Sequence, residues 1–206
     1  IVFVGGELFT GDCMMSMAWM QRKIHFADML RTLVLVYVSN FVGAALIAFL
    51  VAHSGQYDYS SGALGAYTIK VAYGKVHLSF ANALISGILC NILVCVAVLM
   101  AAAAKDIAGK VLAIFFPILA FVVSGFEHCV ANMYYIPAGI FASKNAAYAT
   151  KALELYNIDS TQLSSLNWGS FAISNLIPVT IGNIIGGALL VGGACFYLHG
   201  KALHES

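Results

Sequence analysis

Glu127 and His128 stand side by side in the middle of an apolar run from Val111 to Ala142. That run is long enough to cross a bilayer, which takes ~20 residues of helix. A charge at the bilayer centre costs ~3 kcal/mol or more, so ionisable residues at that depth face a cavity or a partner and mark an ion or proton path. Ser124-Gly125 just before them breaks the helical pattern. Irregular backbone at membrane depth survives only where protein buries it or where it lines a cavity. Two half-helices around a kink are therefore predicted for Val111 to Ala142. An imidazole can pass a proton near neutral pH, or hold a positive charge beside an anion. Read structurally, the same Glu-His pair would only stitch two helices together.

A second interruption of the same kind opens the chain: Gly5-Gly6-Glu7-Leu8-Phe9-Thr10-Gly11-Asp12, glycine-rich with acids in it. The apolar piece Cys13 to Met20 that follows is too short to span alone and reads as the second half of a broken helix. Asp12 suits the N-terminus of that half-helix, where an acid is favoured by the helix dipole, and is expected to cap it. Two breaks aimed at one point give a narrow midplane site, where freed N–H groups and half-helix N-termini favour anions. Leu8, Phe9, Val94 and Phe121 are placed to form dry constrictions, which a bare anion enters only at high cost. His128 relieves that cost by protonating a weak-acid anion or by standing charged beside it. Thr10 is its expected hydrogen-bond partner if the two breaks meet. Lys75 precedes a span and is placed either to draw anions into a vestibule or simply to snorkel at the interface.

The composition sets the class. Of 206 residues, 61% are hydrophobic and 9% charged, with a mean hydropathy of +0.89; a soluble domain carries roughly 25% charged residues. This is an integral membrane protein. A net charge of +1 argues against nucleic acid as a partner. Cys13, Cys90, Cys95, Cys129 and Cys195 sit in apolar segments without metal-like spacing and read as small buried hydrophobes. His25, His53, His77, His199 and His204 fall near predicted membrane boundaries, leaving His128 as the deep histidine, too few for a bis-His haem. No nucleophile-base-orienter trio and no phosphate loop is present, so no catalytic residue, metal or cofactor is assigned. The opening Ile1-Val2-Phe3-Val4, without an initiator Met, implies sequence upstream.

Beyond the breaks, spans are predicted over about Ala27 to Ala52, Val76 to Ala104 and Trp168 to Leu198. His53 to Lys75 and Ser143 to Asn167 read as polar loops without clear periodicity. Gly43-Ala44-Ala45, Gly182, Gly186-Gly187 and Gly192-Gly193 are small residues of the sort that let helices approach closely in lipid. Asn40-Phe41-Val42-Gly43-Ala44-Ala45-Leu46-Ile47 resembles Asn183-Ile184-Ile185-Gly186-Gly187-Ala188-Leu189-Leu190. Each copy follows a glycine-broken segment with an acid, Glu7 or Glu127. An odd number of crossings separates them, so a single channel domain over 1–206 is expected to hold inverted repeats, a partial one over about 1–52 and a second over 76–198. Such repeats with discontinuous helices are typical of transporters and channels. Arg22, Lys23, Arg31, Lys105, Lys110 and Lys201 on one face, against Lys70, Lys75, Lys144 and Lys151 on the other, lean the first face and the C-terminus to the cytoplasm.

Taken together, several stretches resemble the formate/nitrite transporter family of pentameric anion channels. They are Gly6-Glu7-Leu8-Phe9-Thr10, Lys75-Val76-His77, Asn91-Ile92-Leu93-Val94-Cys95, the run Phe121 to His128, Ala131-Asn132-Met133, and the run Asn175 to Asn183. The resemblance implies an all-α, aquaporin-like six-helix protomer, with a pore through each subunit of a homopentamer in the bacterial inner membrane. By matching position, Thr10 would bond the central His128, and Asn91 would face the same chamber. Leu8, Phe9, Val94 and Phe121 would line the constrictions. Lys75, Glu127 and Asn132 would form a polar cluster near the outer vestibule, and Gly5 to Gly11 would be the loop that gates with pH. Relative to the family, the first transmembrane helix and the first half of the second are absent from this chain. Asp12 stands where a small polar residue is expected; it would either tune gating or cap the half-helix starting at Cys13, the cap being the favoured reading.

The resemblance implies small monovalent weak-acid anions as cargo. Ile177-Pro178-Val179-Thr180 and Ala131-Asn132-Met133 look more like formate than nitrite members, while the Gly6 to Asp12 loop keeps a hydrosulfide member open. Other classes remain as alternatives: a redox subunit using His128 and Cys129, a sensor or structural membrane protein, and a channel for neutral solutes.

Overall fold

The computed structural model describes residues 5–199; Ile1 to Val4, Lys201 and His204, which entered the sequence reading, lie outside them. The described residues are helical, without a strand. In chain order the elements are α1 (Phe9–Asp12), α2 (Met15–Met20), α3 (Phe26–Ala52), α4 (Ala63–Val76), α5 (Phe80–Ala103), α6 (Ile107–Val123), α7 (Cys129–Ser143), α8 (Ala146–Tyr156) and α9 (Ser160–Ser165). A last long helix, α10, covers Trp168–Leu198. By length and composition α3, α5 and α10 can each cross a bilayer.

The distribution of side chains is that of a protein solvated by hydrocarbon. Leu30, Val34, Val38, Val42, Leu46 and Phe49 are exposed along α3, and Val111, Leu112, Phe115 and Phe116 along α6. The buried set, by contrast, contains Thr10, Asn91, Glu127, His128, Asn132, Asn175 and Asn183. An apolar coat around buried, hydrogen-bonded polar groups is favourable only where the surroundings are apolar too.

The segment read as one broken span is two helices. Asp106 caps α6, its Oδ1 accepting from Gly109 N at 2.7 Å. The helix ends at Val123, and Gly125 takes a φ of +68°, a left-handed conformation that glycine adopts without strain. The chain restarts as α7 at Cys129. α10 is irregular in another way: wider π-type turns cover Phe171–Leu176 and Ile185–Val191. Such turns recur at functional positions in helices.

The chain divides into two compact units. The first comprises Ile1–Ser39, Leu84–Cys129 and Val179–Ser206. Its packing relies on missing side chains: a Cβ at Gly182 or Gly186 would overlap the backbone carbonyl of Leu84 or Ile88. The second comprises Asn40–Ala83 and Val130–Pro178. Two regions expected to be polar loops prove ordered there. His53 to Lys75 contains α4, which buries Ala66, Ile69, Ala72 and Val76 on one face. Ser143 to Asn167 contains α8 and α9, capped by Asn145 and Asp159. The apolar stripe of α4 is half alanine, with Ile69 and Val76 its larger members, and is diluted by Gly, Tyr and Thr, so its period is weak in sequence. Its contact is tertiary: Gly65 sits against the Tyr148 ring of α8, where a Cβ would come within 2.7 Å.

Tyr148 also donates to Asp58 Oδ1 at 2.6 Å. This bond holds the phenol above its ordinary pKa, because the carboxylate stabilises the protonated form. The bond therefore contributes fully below the ordinary phenol range and fades as pH rises through the elevated value. Tyr148→Phe is expected to lower the thermal midpoint of the purified protein at neutral pH. The difference from wild type should shrink in strongly alkaline buffer.

Candidate functional site

The two interruptions converge within the first unit. His128 follows the Ser124–Glu127 break and is 7% exposed; Thr10, on α1, is fully buried. Thr10 Oγ1 and His128 Nε2 lie 2.9 Å apart. In one tautomer the hydroxyl donates to Nε2; in the other Nε2–H donates to the hydroxyl. On its other side the imidazole stacks on Phe121, with ring centroids 5.6 Å apart and planes 19° from parallel. Both an imidazole proton and an apolar wall are thus presented at one point.

Three of the four expected constriction residues gather nearby. Val94 and Phe121 share a buried cluster with Cys90, against which Leu8 packs. Phe9 instead points its ring to Tyr37, centroid to centroid 4.8 Å at 73°. Tyr37 in turn shares a 2.9 Å hydrogen bond with Thr180. Asn91 is fully buried, and its Nδ2 donates to Asn183 O at 2.6 Å.

Backbone accounting explains how the break is held. Glu127 N donates to Ser86 Oγ at 3.1 Å. Asn183 holds the next two peptide groups: its Nδ2 donates to Glu127 O at 3.0 Å, and its Oδ1 accepts from Cys129 N at 2.9 Å. The same Nδ2 donates to Gly87 O at 2.7 Å. One buried carboxamide on α10 therefore ties α5 to both sides of His128. The sequence reading missed this role, although the repeated Asn-x-x-Gly stretch singled the residue out.

Glu127, also in this unit, is 4% exposed. Lys75 and Asn132 belong to the second unit, where Asn175 joins them. Asn132 Nδ2 donates to Asn175 Oδ1 at 2.7 Å, and Asn175 Nδ2 donates to Lys75 O at 2.9 Å. Lys75 Nζ stands 5.6 Å from the centre of the Tyr135 ring. This is a cation–π arrangement that keeps the ammonium partly solvated.

Asp12 does not cap the following half-helix. The N-cap of α2 is Met14, without a side-chain cap bond. The helical turn begins already at Phe9, so Asp12 falls inside α1 rather than ahead of α2. Its Oδ2 is buried without a hydrogen-bond partner. Among the described residues no three His, Cys, Asp or Glu side chains gather as a metal site.

A membrane-spanning helical body with two breaks meeting at a buried histidine defines a membrane transport protein. The formate/nitrite transporter family model matches residues 1–197, and the chain belongs to that family. It is 40% identical to the formate channel FocA of Haemophilus influenzae, over 93% of this chain and 67% of that protein. It is 41% identical to the uncharacterised transporter YrhG of Bacillus subtilis, over 98% and 67%. The chain thus spans about two thirds of the length of these relatives. A solved structure described as a pentameric formate channel with formate bound superposes with a TM-score of 0.85 at 35% identity, covering 96% of this chain and 77% of that one. An ion channel of the same family superposes at 0.77 and 28% identity, covering 96% and 71%.

Proposed function

We propose that this protein is a channel for small monovalent weak-acid anions, formate first among them. It conducts through each protomer of a homopentamer in the bacterial inner membrane, with the C-terminus in the cytoplasm. The observation that carries this reading is the buried 2.9 Å hydrogen bond between Thr10 and His128, set against an apolar wall. Apolar constrictions at Leu8, Phe9, Val94 and Phe121 keep water and hydrated ions out, because stripping a charge of water there is costly. His128 offers the anion a proton or a charge-assisted bond at the narrowest point, and Asn91 supports the chamber from α5. Lys75, Glu127 and Asn132 form the polar outer vestibule, and the loop Gly5 to Gly11 gates with pH. The partial repeat over about 1–52 and the second over 76–198 bring their breaks to this site. Formate is preferred as cargo because the 40% identical relative is a formate channel and the pentameric neighbour holds formate. Nitrite and hydrosulfide share the size and charge that the site reads.

The test is flux of formate, nitrite and hydrosulfide into proteoliposomes at several pH values. Formate flux is expected to depend on pH through the imidazole range. A hydrogen bond to a charged group is worth about 1.5–3 kcal/mol, so His128→Ala is expected to lower formate flux about ten- to hundredfold and to flatten that dependence. A variant with unchanged rate and pH profile would remove the histidine from the mechanism.

A further inference from the structure

Phe9 is buried, and its ring meets that of Tyr37 edge to face, with centroids 4.8 Å apart. Its backbone is held separately: Phe9 O accepts from Cys13 N at 3.2 Å and from Cys13 Sγ at 3.4 Å. The ring can therefore move only about its side-chain torsions, and Tyr37 stands where it points. Tyr37 lies on α3, and its hydroxyl is 2.9 Å from Thr180 Oγ1. Phenylalanine would supply the same ring without a polar atom to satisfy, so the phenol is accounted for by this bond.

Thr180 lies on α10 one turn before Asn183, on the same helix face. Asn183 holds the backbone on both sides of His128. His128 meets Thr10 at 2.9 Å, and Thr10 directly follows Phe9. The contacts close into a ring within the first unit: Tyr37 to Thr180, along α10 to Asn183, across to His128 and Thr10, and back through Phe9. We infer that Tyr37 is a positioning residue for Phe9: anchored by Thr180, it sets how far the Phe9 ring stands back from the conduction path, and so the size of carboxylate that passes. The inference rests on the anion-channel reading, in which Phe9 lines a constriction. Tyr37 touches no anion and acts only through Phe9. Aromatic rings in edge contact keep a preferred separation, so an anchored Tyr37 fixes the Phe9 ring. A Tyr37 ring that is unanchored or missing lets Phe9 retract. The constriction then widens, and a larger carboxylate gains more than formate does.

The experiment compares formate flux with acetate flux, one methyl group larger, in proteoliposomes of wild type, Tyr37→Phe, Thr180→Val, the double variant and Tyr37→Ala. The readout is the ratio of acetate to formate flux, in which a loss of folded protein cancels. Tyr37→Phe keeps the ring and loses the bond, and Thr180 can turn its hydroxyl to a carbonyl one turn earlier in α10. This variant and Thr180→Val are each expected to raise the ratio about two- to tenfold, the equivalent of one net hydrogen bond. The double variant should raise it no further than either single one, because both remove the same bond. Tyr37→Ala, which empties the space behind Phe9, is expected to raise it by about tenfold or more. If Tyr37→Ala fails to fold, the two conservative variants decide. Ratios equal to wild type in the variants that conduct formate would overturn the proposal and leave the channel reading intact. Effects that add in the double variant, or equal flux of the two anions in wild type, would overturn it as well. No flux of either anion in wild type would overturn both.

Discussion

Asn183→Ala is expected to be the most damaging single substitution in the protein. The carboxamide satisfies Gly87 O, Glu127 O and Cys129 N, at 2.7, 3.0 and 2.9 Å. All three are backbone groups, and Asn183 itself has no exposed surface. Alanine leaves each without this partner in a space that its own small volume does not open to water. At about 0.5–1.5 kcal/mol net for each of three lost hydrogen bonds the cost is of order 1.5–4.5 kcal/mol, a large part of the stability of many folded domains. Asn183→Asp separates hydrogen bonding from volume: it keeps the acceptor for Cys129 N but loses both donated bonds and sets a carboxylate against two carbonyl oxygens. Both variants should lower the thermal midpoint of detergent-solubilised protein sharply and abolish flux. A variant as stable as wild type would show that Asn183 does not hold the break.

Gly182→Val follows closely in expected effect. A Cβ on residue 182 would overlap Leu84 O and come within 3.1 Å of Gly87 Cα and Ile88 N. Backbone cannot give way as the end of a flexible side chain can. α5 and the second half of α10 would have to part, and the Asn91–Asn183 and Asn183–Gly87 bonds lie in that same seam. Overpacking costs about 1–3 kcal/mol where side chains can adjust, and more is expected here because those bonds stretch together. The matched control is Gly193→Ala, where nothing lies within 4 Å of the added methyl. There the helical preference of alanine should stabilise by up to ~1 kcal/mol. Equal melting of Gly182→Val and wild type would contradict the close approach.

What could be read from sequence follows from how local the cause is. The Ser124–Gly125 break was legible because a glycine with polar neighbours inside an apolar run has few other uses. The spans were legible for the same reason: α3 and α10 end within a residue of the expected limits, and α5 starts at Phe80 rather than Val76. α4 was not legible, because small residues make up much of its buried face beside Ile69 and Val76, and Tyr148, far along the chain, supplies its contact. The cap assigned to Asp12 failed because the chain winds into helix at Phe9, about one turn ahead of Cys13. Neither Asn175 nor Asn183 could be assigned its bonds from sequence, since a carboxamide that satisfies backbone a hundred residues away leaves no periodicity behind. The meeting of Thr10 with His128 was conditional on the breaks converging, and only the folded geometry gives their 2.9 Å separation.

The placement of the thiols has a practical consequence. The thiols of Cys13, Cys90, Cys95 and Cys129 are buried, and that of Cys195 is partly covered. A membrane-impermeant thiol reagent should therefore find little to modify in the native protein. Cysteines introduced one at a time along the loop and the outer helix surfaces can be mapped by their labelling rates without first removing the natural ones. The map would separate surfaces wetted by the conduction path from those coated by lipid.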